Sequence, residues 1–315
     1  MSERWPALPA DAWADTLETF HLWAQVVGKI RMARGPWLNH AWGVTLYVSP
    51  RGLTTGLVPY DDEAFEIRFD LIDHELVVET SRGARERVEL RDRPTADFYQ
   101  SVLDAMASVG MPVRIGPMPS EIAGAVPFHE DTTHGTYDPD HVHRMWRAWL
   151  ASERVMTAFR AKFLAKASPA QLYWGGLDLA VYRFSGRTAP PHPGGAPNFP
   201  LDVAQESYSH EVSGAGLWLG SRAVPVPGYF AYTYPEPDGI ADVPIEPETA
   251  GWNAAGGSFG LPYEAVRTAD DPDAALLAFL QSTYEAGANL GKWDREALEA
   301  KSPLGPEWWR ERPHD

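Results

Sequence analysis

WGGLDLAVYRFSGR, Trp174 to Arg187, opens on a tryptophan and a glycine pair, continues as an apolar run broken by Asp178, and closes on Ser-Gly-Arg. Side chains on an extended chain point to opposite faces in turn, so the run reads as a strand ending in a tight turn. The same grammar occurs much earlier, in WGVTLYVSPRG from Trp42 to Gly52. Two phrases of one pattern, far apart in the chain, invite the question whether their surroundings match as well.

They do. Ahead of the earlier phrase, Trp13, Leu17, Phe20, Trp23, Val27 and Ile30 recur at helical spacing, which predicts a helix from Asp11, as N-cap, to Met32, stopped by Gly35-Pro36. Behind it, AFEIRFDLIDHELVVET (Ala64 to Thr80) reads as a hairpin turning near Ile72-Asp73, and RERVEL as a further strand. Pro94 then opens a second helix carrying Phe98, Val102, Ala105 and Met106 on one side. The later phrase has the same neighbours. Asp138 and Pro139 start a helix reaching to Lys166, YFAYTY and LPYEAV read as strands, and DDPDAALLAFLQSTYEAGANLG as a proline-opened helix. In that helix Pro272, Leu276 and Leu280 fall where Pro94, Phe98 and Val102 fall. The expected fold class is α+β with two pseudo-repeated halves, each helix, antiparallel strands, helix. The first half takes residues 1–127, the second 128–300, and a tail, 301–315, packs Trp308-Trp309 back on the body. An internal duplication explains the repetition; two α+β segments sharing one grammar by chance is the alternative. Duplicated halves pack about a pseudo-twofold axis and leave a cleft at their junction, a common place for ligands.

Composition narrows the function. The 315 residues are 44% hydrophobic and 22% charged, as in a soluble globular protein. No apolar run approaches the roughly 20 residues of a membrane span. MSERWPALPADAW lacks the basic-then-apolar order of a secretory signal, so a cytoplasmic location is expected. A formal charge of −16 repels nucleic acid and anionic membranes, and Lys29, Arg31 and Arg34 are too few to override it. With no cysteine, a divalent metal would need His, Asp or Glu. No GxGxxG, GxxxxGK[ST] or GxSxG is present, so no nucleotide motif can be named.

FHLWAQVVGKIR, LNHAWGVTLYVSPRGLTT, FSGRTAPPHPGG, YSHEVSGAG, YTYPEP and FLQSTYEAGANLGKWDR together resemble a bacterial family called domain of unknown function 5996. The likeness runs from Trp5 to Leu298. It implies kinship and assigns no substrate, cofactor or residue role.

Candidate site residues therefore come from chemistry alone. Between Arg187 and Tyr229 the second half carries a Pro- and Gly-rich insertion, 188–228, containing PPHPGGAPNFP and YSHEVSGAGLWLG. A long irregular segment inside a compact domain is commonly functional, and Phe199, Tyr208 and Trp218 would anchor it, with a short helix over Val203 to Tyr208. His192, braced by prolines, and His210 are the candidate metal ligands, with Asp178 on the preceding strand as carboxylate. If the protein is an enzyme, His210 serves as general base and Asp178 as its partner. The opposing reading has both imidazoles bonding backbone carbonyls and tying the loop down. Glu211, next to His210, alternates outward and reads as solvated. Asp178 interrupts an apolar run: either it faces water, or it is buried and paired with Arg183, Lys29 or Arg51. Arg183, His40, Tyr208, Trp218 and Tyr234 complete the expected ligand-binding set. Arg51 and Arg187 occupy matching turns and either bind an anion or hold the turn. His21 reads as a core histidine, and the FHEDTTHGTYDPDHVH stretch as a solvated linker.

The functional expectation is a protein that binds or turns over a small polar or aromatic molecule in a cleft between the halves, with or without a divalent metal. The alternative is a non-catalytic interaction module docking through an acidic, tryptophan-rich surface. A further alternative places function in the first half, near His40.

Overall fold

A computed structural model describes residues 4–300; the predicted packing of Trp308-Trp309 lies outside them. The first half runs α1 (Ala10–Arg34), a 3-10 turn (Asn39–Ala41), β1 (Tyr47–Ser49), β2 (Gly52–Thr54), β3 (Val58–Tyr60), β4 (Glu63–Asp70), β5 (Glu75–Thr80), β6 (Arg85–Glu89) and α2 (Thr95–Ser108). The second runs α3 (Pro139–Arg160), β7 (Gln171–Tyr173), β8 (Asp178–Thr188), α4 (Leu201–Ser207), β9 (His210–Trp218), β10 (Gly228–Tyr234), β11 (Gly251–Asn253), β12 (Ser258–Pro262), α5 (Tyr263–Arg267), α6 (Pro272–Leu290) and α7 (Arg295–Leu298). The fold is α+β in two halves, each a helix, a six-stranded antiparallel sheet and a helix. One sheet has the order β1-β2-β4-β5-β6 with β3 also on β4, the other β11-β12-β10-β9-β8-β7. The sheets meet where Leu46 and Leu172 exchange backbone hydrogen bonds of 2.9 and 2.7 Å.

α1 is the helix both halves share. Every residue from Leu22 to Ile30 is buried, so no face of that stretch is left to water, as expected of a central helix. Trp23 stacks on Phe98 of α2 at 4.3 Å, while Phe20 meets Phe69 of β4 at 5.1 Å and Trp149 of α3 at 6.2 Å. The buried apolar residues of both halves form one continuous cluster. Asp138 caps α3 as expected, accepting the Asp140 and His141 amides; Asp271 does the same for α6 at Ala274.

Five predicted elements fall differently. Asp11 lies inside α1, whose N-cap position is Pro9 with no side-chain cap. Trp42 to Gly52 is not one strand: His40 and Ala41 take left-handed backbone (φ 62° and 57°), and the strand shrinks to Tyr47–Ser49. α3 ends at Arg160 rather than Lys166, and LPYEAV splits into the end of β12 and the α5 helix. The largest correction concerns the insertion. YSHEVSGAGLWLG is no loop; it supplies β9, a nine-residue strand paired along its length with β8 and β10. Gly214 and Gly216 conceal it, since glycine depresses strand propensity. Their reason is steric: a Cβ at 214 would stand 2.5 Å from the Tyr182 ring, and one at 216 would stand 2.5 Å from the Leu179 carbonyl and 2.8 Å from the Phe230 ring.

Candidate functional site

Alternation gives the second sheet two different faces. Leu172, Leu179, Val181, Ala215, Leu217, Tyr229, Ala231 and Leu261 are buried on the side of the core. The register sets Asp178 opposite Trp218, Tyr182 opposite Gly214, and Gly214 opposite Tyr232 on the other side. That second face floors a cleft of about 1170 Å³. Its walls come from both halves: Lys29 and Met32 of α1, Trp37 to Val44, the 116–121 connection, and the 192–208 segment with α4 as a cover. The side chains presented are chiefly aromatic, with a few polar groups among them.

The cover is fastened at defined points. The His40 amide donates to the Glu206 carboxylate at 3.0 Å, and His40 Nδ1 bonds the Ser207 carbonyl at 2.8 Å. Tyr208 and Tyr232 share a 2.8 Å hydrogen bond between hydroxyls. On the opposite wall Gln25 of α1 accepts the Ser120 amide and donates to the Ser120 carbonyl, both at 2.8 Å, fixing the connection that carries Glu121. Lys29 Nζ donates to Ser120 Oγ at 3.1 Å and lies 5.5 Å from the centre of the Trp174 ring.

Asp178 and Glu121 define the polar end. A methyl group at Gly176 would stand 2.8 Å from Asp178 Oδ1 and 4.0 Å from Glu121 Oε2, so both carboxylates border one small space. Glu121 packs against Gly175, where a Cβ would sit 1.8 Å from Glu121 Oε1 and displace the end of that side chain. Among the described residues neither carboxylate is ion-paired: Asp178 takes neither Arg183, Lys29 nor Arg51 as a partner. Burial, then the Glu121 charge, pushes the Asp178 carboxyl up to about 8. Burial also raises Glu121, although its side chain is open to the cleft interior. The hydroxyls of Tyr173, Tyr182 and Tyr232 are held well above their ordinary range by burial. Burial lowers Lys29, His40 and His192, favouring their neutral forms.

Of the residues expected from sequence, Asp178, His40, His192, Tyr208 and Trp218 line the cleft. Three do not. Arg183, 1% exposed, lies on the core side of β8 with its guanidinium 3.4 Å from the centre of the Phe159 ring and 4.4 Å from that of Tyr284. The five-residue offset from Asp178 puts the two side chains on opposite faces, so Arg183 is a core residue and no ligand contact. His210 stands beside His40, ring centres 5.7 Å apart, with Nδ1 bonded to Ser209 Oγ at 3.1 Å. Tyr234 buttresses from behind, 5.2 Å from His192, its hydroxyl donating to the Pro190 carbonyl. His192 stacks on Tyr208 at 4.4 Å and accepts the Gly194 amide at Nδ1, which takes that nitrogen out of play. The expected convergence of His192, His210 and Asp178 is thus absent: among the described residues no three His, Asp or Glu side chains are grouped to hold a metal ion.

Other readings resolve as ties within the fold. Glu211 is not a solvated neighbour but accepts from Ser185 Oγ at 2.8 Å and from Arg187 at 2.6 Å, and Arg187 also reaches the Gly291 carbonyl. Arg51 pairs with Asp70 and, at 2.6 Å, with Asp73. Both arginines hold turns. His21 bonds the Trp174 and Gly175 carbonyls at 3.0 and 2.8 Å, the core role expected of it. In the linker His129 is exposed, as a solvated stretch would have it, whereas His134 bonds Asp131, which is 3% exposed and organises the turn before α3.

Sequence reasoning missed Glu121, Tyr173, Tyr182 and Phe230, whereas Tyr232, at the start of the YTYPEP stretch, is a wall residue the sequence already suggests. The period of two in DLAVYRF and YFAYTY carries the signal for Tyr182, Phe230 and Tyr232. Glu121 has none, because it arrives on an irregular connection with a left-handed backbone (φ 61°) held by the Pro197 carbonyl.

Among the described residues no helix is long and apolar enough to cross a membrane. A model of the family described as "Family of unknown function (DUF5996)" matches residues 5–300, and the chain belongs to that family. No curated protein and no solved structure matches the chain.

Proposed function

We propose that this member of the DUF5996 family binds a small, largely apolar or aromatic molecule in the cleft over the second sheet. One observation carries the reading: a sheet face that would normally be covered by helices instead presents Tyr173, Tyr182, Trp218, Phe230 and Tyr232 to a hollow of about 1170 Å³. That volume is at or above the roughly 300–1,000 Å³ of ordinary small-molecule sites.

Trp37, Trp42, Trp174 and Trp218 border the cleft and serve as built-in reporters. Titration with a neutral apolar dye, Nile red, is expected to give saturable one-to-one binding with quenching of tryptophan emission. Trp218→Ala and Phe230→Ala should each weaken it about tenfold, the loss of one aromatic contact surface. Non-saturable partitioning, unchanged in both variants, would sink the reading.

The exposed apolar residues Trp37, Leu38, Val224 and Val226 support a second reading, a module that docks another protein. It predicts that the interior variants Trp218→Ala and Phe230→Ala are silent.

A further inference from the structure

We propose that the ligand of this cleft is an organic cation, an apolar or aromatic body bearing an ammonium group that docks between Asp178 and Glu121. The inference rests on the cleft being a small-molecule site and names the chemistry the site selects.

Its first support is the missing counter-charge. Two carboxylates share one space beside Gly175 and Gly176, and no lysine, arginine or histidine among the described residues pairs with either. Asp178 is half-buried with no cationic partner, which disfavours its charged form, and a second carboxylate, the more open Glu121, lies alongside it. An ammonium group answers both at once.

The second is the wall around them. Tyr173, Tyr182, Tyr208 and Tyr232 are close enough to Asp178 to feel its charge, and all four line the same hollow. Tyrosine faces attract cations, and a ring of them beside a carboxylate is the chemistry by which quaternary ammonium groups are held. Lys29, which also lines the cleft, is turned to Ser120 and Trp174 rather than to either carboxylate.

Independently, the cleft holds other polar groups that lack partners. His40 is 4% exposed with Nε2 unbonded, and Trp42 Nε1 and Ser207 Oγ are also unpaired. Native interiors rarely leave such atoms orphaned, and these three residues border the same hollow. Entry past Met32, Trp37, Met118, Val224 and Val226, all 40–56% exposed, suits a ligand whose remainder is apolar.

The test uses one aromatic body in three charge states: (1-naphthylmethyl)trimethylammonium, 1-naphthalenemethanol and 1-naphthoate, each titrated into the full-length protein by calorimetry. The quaternary cation should bind at least tenfold tighter than the alcohol, and the carboxylate weakest. Asp178→Asn and Glu121→Gln should each erase most of the cation's advantage while leaving the alcohol's affinity within twofold. Because the amide variants keep the shape, a melting temperature at or above that of the parent certifies their fold. An alcohol that binds as tightly as the cation, or a cation preference surviving both substitutions, overturns the ammonium inference and leaves the small-molecule site standing. Saturable binding by none of the three overturns both.

Discussion

Asp178 sits on β8 with tyrosines near it, Glu121 bordering the same space and, among the described residues, no cation paired with it. Its carboxyl, pushed up to about 8, ionises far more readily in the unfolded chain, where 3.8 is its ordinary value. The sign follows from linkage. Between those values the folded state holds a proton that the unfolded state releases, so this group's contribution is fully present below the unfolded value and is lost as pH rises towards 8. Asp178→Asn, neutral throughout, should match the parent in melting temperature near pH 4 and exceed it by a margin that grows up to about pH 8, then levels off. Parallel thermal melts across that range check it; a margin that shrinks with rising pH would contradict the burial described. Arg183 shows what one sequence position can hide. As a cation in a strand it looks available, yet parity with Leu179 and Val181 places it among Phe159, Phe163 and Tyr284, where its planar head stacks on rings. The alternation that gives this was readable; what fills the space behind the strand was not.

The elements show glycine used as a spacer where two parts must touch. Gly28 lets Trp174 lie on α1, Gly287 of α6 admits Thr233 of β10, and Gly216 lets β9 run flush under Phe230. These positions separate packing from site chemistry. At Gly216 a methyl group meets a backbone carbonyl, which cannot move aside, so Gly216→Ala should destabilise by about 1–3 kcal/mol in urea unfolding. At Gly175 the obstacle is the end of the Glu121 side chain, which can swing away. Gly175→Ala should therefore leave the urea midpoint nearly unchanged while reducing cation affinity several-fold. Equal effects in the two assays would show that Glu121 and the 175–176 turn are not independent. Helix starts at Asp138 and Asp271, the β4–β5 hairpin and the opening of α2 at Pro94 were all legible, because local rules of capping, alternation and proline geometry fix them. β9 was not, since its glycines answer to rings on neighbouring strands and those neighbours are non-local.

Across the molecule the two halves share one core. α1 belongs to the first half by sequence but is buried by residues from both, and the sheets are stitched at Leu46 and Leu172. Unfolding of one half would therefore strip the other of a face. Thermal denaturation is expected to be a single transition, superimposable in far-ultraviolet circular dichroism and tryptophan emission, and Trp149→Ala should shift both probes together by the few kcal/mol of a large core truncation, about 3–5. Two separated transitions would show that the halves are independent cores. The cleft depends on the same sharing, since α1, the 116–121 connection and the 192–208 cover reach it from distant parts of the chain.

The sequence by itself determined the α+β class, the helix–sheet–helix order of each half, the two-faced strands, the acidic charge and the kinship to the family. All of these rest on local periodicity, capping or composition, which one stretch of chain specifies alone. Only the tertiary structure decided that the supposed insertion is a central strand, that Arg183 is core, that His192, His210 and Asp178 form no metal-holding group, and that Glu121 joins Asp178. Each depends on which non-local surface a side chain meets, and no spacing along the chain encodes that distance.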